Sequence, residues 1–263
     1  MLLSTILALI IGVVLGLLGG GGSILTVPVL VYILDVPPKQ AIATSLVVVG
    51  GTAAVAAIQH ARGGRVQWRT GLIFSAAGMA GAAAGGFAAD WFSGTVLLIL
   101  FAAMMVATGV AMLVGRKEPD PDAPKKHHPA WLIAAEGLLV GGVTGLVGAG
   151  GGFLVVPALV LFGGLSMQQA VGTSLLVIAL KSGAGFMGHA AHVQIDWGMA
   201  ASFTAATIVG SLGGSALSAK VSGKSLRKGF AVFVLFMAGI VLWQELGAEA
   251  RPDVTTQAVP EAP

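Results

Sequence analysis

The sequence predicts an all-α polytopic membrane protein of two inverted-topology repeats, each a glycine-tipped helical hairpin followed by three transmembrane helices. Three observations lead there: an apolar composition, an internal repeat, and basic loops that change places between the copies. Of 263 residues, 56% are apolar and 10% charged, against roughly a quarter charged in a soluble domain, and the mean hydropathy is +0.93. Several runs approach the ~20 apolar residues that cross a bilayer core. These values exclude a water-soluble globular protein. The 40 glycines follow no collagen period, so they serve close helix packing or broken helices inside the membrane. Without cysteine, disulfides and thiolate metal sites are excluded.

Apolar runs place candidate segments at 1–18, 24–34, 39–59, 70–89 and 93–114, then at 130–148, 153–163, 167–188, 198–218 and 228–244. The five tryptophans, Trp68, Trp91, Trp131, Trp197 and Trp243, all fall at segment ends, where membrane-interface anchors belong. The opening MLLSTILALIIG has no basic n-region and no A-x-A site, and is expected to be retained.

A shift of 129 positions lays GLLGGGGSILTVPVLV (16–31) on GLVGAGGGFLVVPALV (145–160), and QAIATSLVV on QAVGTSLLV. Between 16–68 and 145–197, nineteen of fifty-three positions are identical, including Pro28/Pro157, Thr44/Thr173, Ser45/Ser174, His60/His189 and Trp68/Trp197. The GxxxG pair Gly81/Gly85 recurs as Gly210/Gly214. Low-complexity apolar sequence produces scattered matches, but not Pro, Thr-Ser, His and Trp in one register, so the halves are copies of one unit.

Charge then sets their relative direction. Loop 60–69 carries Arg62, Arg65 and Arg69, whereas its equivalent 189–198 has no Lys or Arg; loop 89–95 has none, whereas 218–228 carries Lys220, Lys224, Arg227 and Lys228. The central loop adds Arg116, Lys117, Lys125 and Lys126. With basic loops facing the cytoplasm, equivalent loops lie on opposite sides, which makes the repeats inverted. Eleven of the fourteen Lys and Arg thereby act in orientation, and no nucleic-acid partner is called for.

Inversion requires an odd number of crossings per half. Segments 24–34 and 153–163 have eleven residues each, about 16 Å of helix against a core of ~30 Å. Each therefore forms a hairpin with the segment before it, and the turns at 19–23 and 148–152 sit inside the bilayer, approaching each other near the midplane. The resulting organisation is 1–115 first membrane repeat, 116–129 cytoplasmic linker loop, 130–245 second membrane repeat, and 246–263 a tail too polar to fold.

A helix that starts inside a membrane presents unpaired N–H groups and the positive end of its dipole, which makes an anion site. The candidates are Gly20, Gly21, Gly22 and Ser23 before the segment opening at Ile24, and Gly150, Gly151 and Gly152 before Phe153. The competing reading of these glycines is helix packing alone, through faces such as Gly12/Gly16 and Gly137/Gly141/Gly145. Thr44, Ser45, Thr173 and Ser174 open the long helices that follow, and their hydroxyls either complete an anion's shell or bond back to their own helix. Lys181 is the one Lys or Arg well inside a segment; it is expected to face the interior and pair with a substrate anion or with Glu136. His60 and His189 sit at segment ends, suited to interfacial anchoring or, as the weaker alternative, to proton coupling. No βαβ pattern surrounds the GGGG run, so it is no dinucleotide fingerprint, and no metal or cofactor is called for.

In its paired motifs GLxGxGGxxxxVPxLV and QAxxTSL, carried by both halves up to about residue 244, the sequence resembles the TauE/SafE family of sulfite and organosulfonate exporters. The resemblance implies secondary transport of a small sulfur-containing anion across the cytoplasmic (inner) membrane. Matching positions are Gly19 to Ser23, Pro28, Thr44, Ser45, Gly148 to Gly152, Pro157, Thr173 and Ser174. The expectation is therefore a membrane transporter and not an enzyme, using alternating access to a site between the two turns. Basic loops lie in the cytoplasm and the termini outside. Its partners are the anion and the lipid bilayer, with a homo-oligomer compatible with the sequence. Alternatives are an anion channel, or a Ser/His intramembrane hydrolase with Ser23 or Ser45 as nucleophile and His60 or His189 as base.

Overall fold

The computed structural model describes residues 2–89, 91–92, 94–114, 129–147, 152–189 and 195–249, and every regular element among them is helical. In chain order these are α1 (Leu2–Leu18), α2 (Gly21–Pro28) running into a π-helical turn (Val29–Ile33), α3 (Pro38–Arg62), α4 (Trp68–Ala89), α5 (Gly94–Val114), α6 (Ala130–Val147), α7 (Gly152–Leu161), α8 (Met167–His189), α9 (Trp197–Lys220) and α10 (Gly223–Glu249). Five of them, α3, α4, α8, α9 and α10, are long and apolar enough to cross a membrane. All five tryptophans are more than half exposed, in keeping with the interfacial ends they occupy.

Local chemistry explains most boundaries. Pro38 opens α3 behind an extended Pro37, since proline's fixed φ suits the first helical turn and its missing N–H is not needed there. At the other end Gly64 adopts φ +68 and the Arg65 amide donates to the His60 carbonyl at 3.0 Å, a glycine-terminated cap. Ser166 and Gln169 exchange side-chain bonds with each other's backbone amides, both at 3.3 Å, ahead of α8, a reciprocal capping box. Asp196 caps α9 through the Met199 amide at 3.0 Å. Pro28 lacks the donor its turn requires, and the chain behind it widens into the π turn.

Several boundaries depart from the sequence expectation, among them the start of α10 at Gly223 rather than 228, which puts Lys224, Arg227 and Lys228 on the helix instead of in the loop. Helix α2 begins at Gly21, three residues before Ile24, because helical backbone meets its own hydrogen bonds and a low-dielectric interior favours that even for glycine. Helix α10 runs through Glu249, into the stretch assigned to the tail.

Helices pair through small residues. Along α1 and α9, a Cβ on Gly12 would strike the Thr207 backbone, one on Gly16 the Ser211 backbone, and one on Gly214 the Val13 carbonyl. The same happens between α4 and α6, where Gly141 lies on Gly78, Gly145 on Ala82, and Gly85 on Gly142. Under the repeat correspondence, in which α1 matches α6 and α9 matches α4, these are one interface occurring twice. Helices α3 and α8 are also repeat equivalents, and they run antiparallel: Leu46 faces Gly185, Gly50 faces Ser182, and His60 faces Gly172. Thr52 and Thr207 tie α3 to α9 with a hydroxyl pair at 2.6 Å, and Phe101 of α5 meets Phe153 of α7 edge to face at 5.3 Å. Helix α7 is almost wholly enclosed.

Candidate functional site

The first turn reverses the chain between α1 and α2. Gly19 takes φ +73 there, a conformation that costs other residues about 1–2 kcal/mol, and Gly22 returns beside Leu15 and Ile11. A Cβ on Gly20 would overlap the carbonyl of Gly152, and one on Gly152 would sit 2.7 Å from Ser23 Oγ and 3.1 Å from Ile178 Cδ1. The first residues of α2 and α7 are thus side by side, and Ser23 and Gly152, now neighbours, occupy equivalent positions in the two repeats. Ile178 lies one turn from Ser182, which faces Gly50 at the centre of α3. The meeting point is therefore level with the middle of the long helices, while the apex of the first turn reaches further, to the level of His60. Gly150 and Gly151 lie outside the described residues.

The hydroxyls nearby are engaged locally. Ser23 Oγ donates to the Gly20 carbonyl at 2.7 Å, Ser45 Oγ to Ile42 at 2.7 Å, and Ser174 Oγ to Val171 at 2.8 Å. Thr173 Oγ1 accepts from the Gln67 amide at 3.0 Å, and Thr44 is buried. Of the four threonines and serines that open α3 and α8, only Ser174 stands against the first turn, its Oγ 2.5 Å from a Cβ on Gly19. Ser45 and Ser174 bond back to their own helices, and Ser23 bonds to the turn that precedes it.

Lys181 lies at mid-helix in α8, and its Nζ donates to Thr144 Oγ1 on α6 at 3.4 Å. Thr144 passes its own hydrogen to the Gly141 carbonyl at 3.0 Å. Among the described residues no carboxylate pairs with Lys181: Glu136 sits two turns away on α6, with Oε2 buried and without a hydrogen-bond partner. The ammonium therefore stands beside the end of α6, where the second turn begins.

His60 corrects the sequence reading. It was expected at the interface, yet it is 0% exposed, its Nε2 3.3 Å from the Gly16 carbonyl. Its place near the end of α3 does not bring it to the surface, because the end of α1 and Gly172 of α8 close over it. The side chain of His189 lies outside the described residues. Among the described residues no serine hydroxyl bonds to His60.

An open cleft of about 260 Å³ separates α3 from α8 on another flank, lined by Gly50, Gly51, Ser182, Gly183, Phe186 and Trp197 among others. None of the turn residues borders it. Sequence reasoning gave no site role to several residues with buried polar groups: Thr144, Arg65, Ser215 and Ser218. The available signal was their mismatch with the repeat, since Leu15, Gln194, Gly86 and Ala89 stand at the equivalent positions.

The sequence model of the family described as Sulfite exporter TauE/SafE matches residues 4–241. A "Probable membrane transporter protein" of Xylella fastidiosa (strain Temecula1) is 35% identical over 244 residues, covering 89% of this chain and 92% of its own. "Probable membrane transporter protein YunE" of Bacillus subtilis is 28% identical over 244 residues, covering 84% and 89% respectively. A "Probable membrane transporter protein" of Haemophilus influenzae is 27% identical over 259 residues, covering 90% and 96%. No solved structure matches the chain.

Proposed function

From the premise that this chain belongs to the TauE/SafE sulfite exporter family and is a multi-pass membrane transporter, we propose that it carries small sulfur oxyanions such as sulfite or organosulfonates. It does so as a secondary transporter of the cytoplasmic membrane, exposing a central site to either face in turn. The site lies between the first residues of α2 and α7, with Gly20 to Ser23 on one side and Gly152 on the other; Gly150 and Gly151, outside the described residues, are assigned to it by the repeat. Ser174, which stands against Gly19, borders it and Lys181 adds positive charge from the flank, while Thr44, Ser45 and Thr173 are assigned to it by the repeated Thr-Ser motif alone. The observation that carries this reading is the contact of Gly20 with Gly152, which aims two helix N-termini into one region. Since the two backbones touch, an anion enters only when the turns part, and that parting is the step that exposes the site.

The antiparallel course of the equivalent helices α3 and α8 supports the inverted arrangement, because a half-turn about an axis perpendicular to both exchanges them. The basic stretches 60–69 and 218–228 then face the cytoplasm. The domain limits 1–115, 116–129 and 130–245 follow from the same reading.

Reconstituted protein should move sulfite, sulfoacetate or taurine across proteoliposomes, with saturation and with exchange against internal substrate. Sulfate serves as competitor. Absence of flux and of binding for every one of these anions would overturn the assignment of substrate class.

A further inference from the structure

Buried polar atoms without partners gather where α1, α3 and α9 end together, at the end of the bundle that carries loop 63–67. His60 Nε2 faces the Gly16 carbonyl at 3.3 Å; a carbonyl only accepts, so Nε2 carries the hydrogen and the neutral ring keeps a bare lone pair on Nδ1. That atom is buried and has no partner. Ser215 donates to the same carbonyl at 3.4 Å. Ser218, one turn further along that face of α9, is 0% exposed, and its Oγ has no partner either. Arg65 follows the cap of α3 and folds over Gly63, its Nε 2.9 Å from where a Cβ would stand, with Nη1 buried and unpartnered. Burial pushes the Arg65 guanidinium below its ordinary pKa, an effect that a neighbouring anion reverses. Each such orphan is costly to bury, so three in one corner need a reason; Gln59 Oε1, next along α3 and also unpartnered, belongs to an amide whose nitrogen bonds the Leu212 carbonyl of α9.

Assembly of the fold does not supply that reason. At the equivalent places of the other repeat, Gly86, Ala89 and Gln194 replace Ser215, Ser218 and Arg65, so a repeat of the same design does not carry the polar set. The chemistry of the three atoms states what fits them. A guanidinium N–H and a hydroxyl donate to negatively charged oxygen, while Nδ1 accepts an O–H hydrogen that a fully ionised oxyanion does not have. No other titratable side chain contributes from α1 or from the first two turns of α8; Arg62 and Arg69 flank the loop, Lys220 ends α9, and Lys224, Arg227 and Lys228 open α10.

We propose that His60, Arg65 and Ser218 form a second anion site, at the basic-loop end only, that takes a small monoprotonated oxyanion of the hydrogensulfite type on its way to or from the central turns. The inference rests on the sulfur-oxyanion reading above and adds a face-specific step to it.

Membrane vesicles of both orientations test it, with sulfite and methanesulfonate each presented to one face at a time. In Ser218→Ala and Arg65→Gln the half-saturation concentration for sulfite at the basic-loop face should rise at least fivefold, with no change at the opposite face. Ser218→Thr, which keeps the hydroxyl, should restore it. Methanesulfonate has no acidic O–H, so His60→Gln should affect it less than sulfite. Equal shifts at both faces, or none at either, would overturn the second site while leaving transport itself intact. Wild-type protein that moves neither anion would instead overturn the substrate class, and this inference with it. Ser218→Ala deletes one oxygen from a helix, and unchanged thermal unfolding of the purified variant shows that lost affinity is not lost structure.

Discussion

Adding one methyl group at Gly20 should damage the protein more than adding it at the neighbouring positions of either turn. The backbone at Gly20 has φ −57 and ψ −19, which alanine adopts freely, so any cost is steric. The new Cβ would fall on the carbonyl of Gly152 and 2.7 Å from Phe153 Cα. Both are backbone atoms that cannot rotate aside, and α7 cannot retreat because nearly all its residues are buried. Forcing extra volume into such a place costs about 1–3 kcal/mol or more; at about 3 kcal/mol the folding equilibrium falls roughly a hundredfold. Gly152→Ala meets only Ser23 Oγ and the end of the Ile178 side chain, which can turn away, for a cost of about 1 kcal/mol. Gly213→Ala, mid-helix in α9 with nothing within 4 Å, should gain up to about 1 kcal/mol. Unfolding in detergent by heat or denaturant ranks the three variants, and sulfite flux in proteoliposomes reports whether the survivors transport. Gly20→Ala as stable as Gly213→Ala would mean that the two turns do not touch, and the central site would fall with that contact.

Three further outcomes follow from the geometry. Lys181→Met should leave unfolding unchanged or shifted upwards, since the ammonium has only Thr144 Oγ1 as a described partner and an unpaired buried charge is costly; anion flux should drop at least tenfold, and undiminished flux would remove Lys181 from the site. Cysteines replacing Arg65 and Lys224 should react with an impermeant maleimide from one face, and a cysteine replacing Asp196 from the other; any other pattern contradicts the inverted arrangement. Gly141→Leu should separate α4 from α6, because its Cβ would run into the Gly78 carbonyl; a loss below roughly 1 kcal/mol would show that the crossing is looser than described.

Helices were legible from sequence because apolar runs, polar breaks and Pro or Gly caps are local signals. The start of α2 was not, because the glycines that permit a turn also accept helical geometry, and the interior decides between them. Depth was misread at His60, since distance from a helix end says nothing about what other helices close over it; Gly16 and Gly172, distant in the chain, do so here. The partner of Lys181 was equally out of reach: Thr144 lies 37 positions away, whereas sequence reasoning could weigh only the charged candidate Glu136. The GxxxG faces were legible as packing faces, but their partners, α1 with α9 and α4 with α6, come from the three-dimensional arrangement.

On the inverted reading, a transporter with identical halves would open to either face at equal energy and bind equally well from both. Whatever distinguishes the two faces must then come from residues that the repeat does not copy. Most unmatched positions in the halves exchange one apolar residue for another, and such exchanges alter packing without a charge or hydrogen bond for an anion to feel. The polar exceptions include Ser23 opposite Gly152, Lys181 opposite Thr52, Thr144 opposite Leu15, Arg65 opposite Gln194, Ser215 opposite Gly86 and Ser218 opposite Ala89. Ser23, Lys181 and Thr144 lie at or beside the central turns, and Arg65, Ser215 and Ser218 lie at the basic-loop end. Direction and coupling are therefore to be sought in these residues, since the paired Thr-Ser steps and the turn glycines Gly19, Gly21 and Gly22 recur in both halves and so cannot tell one face from the other.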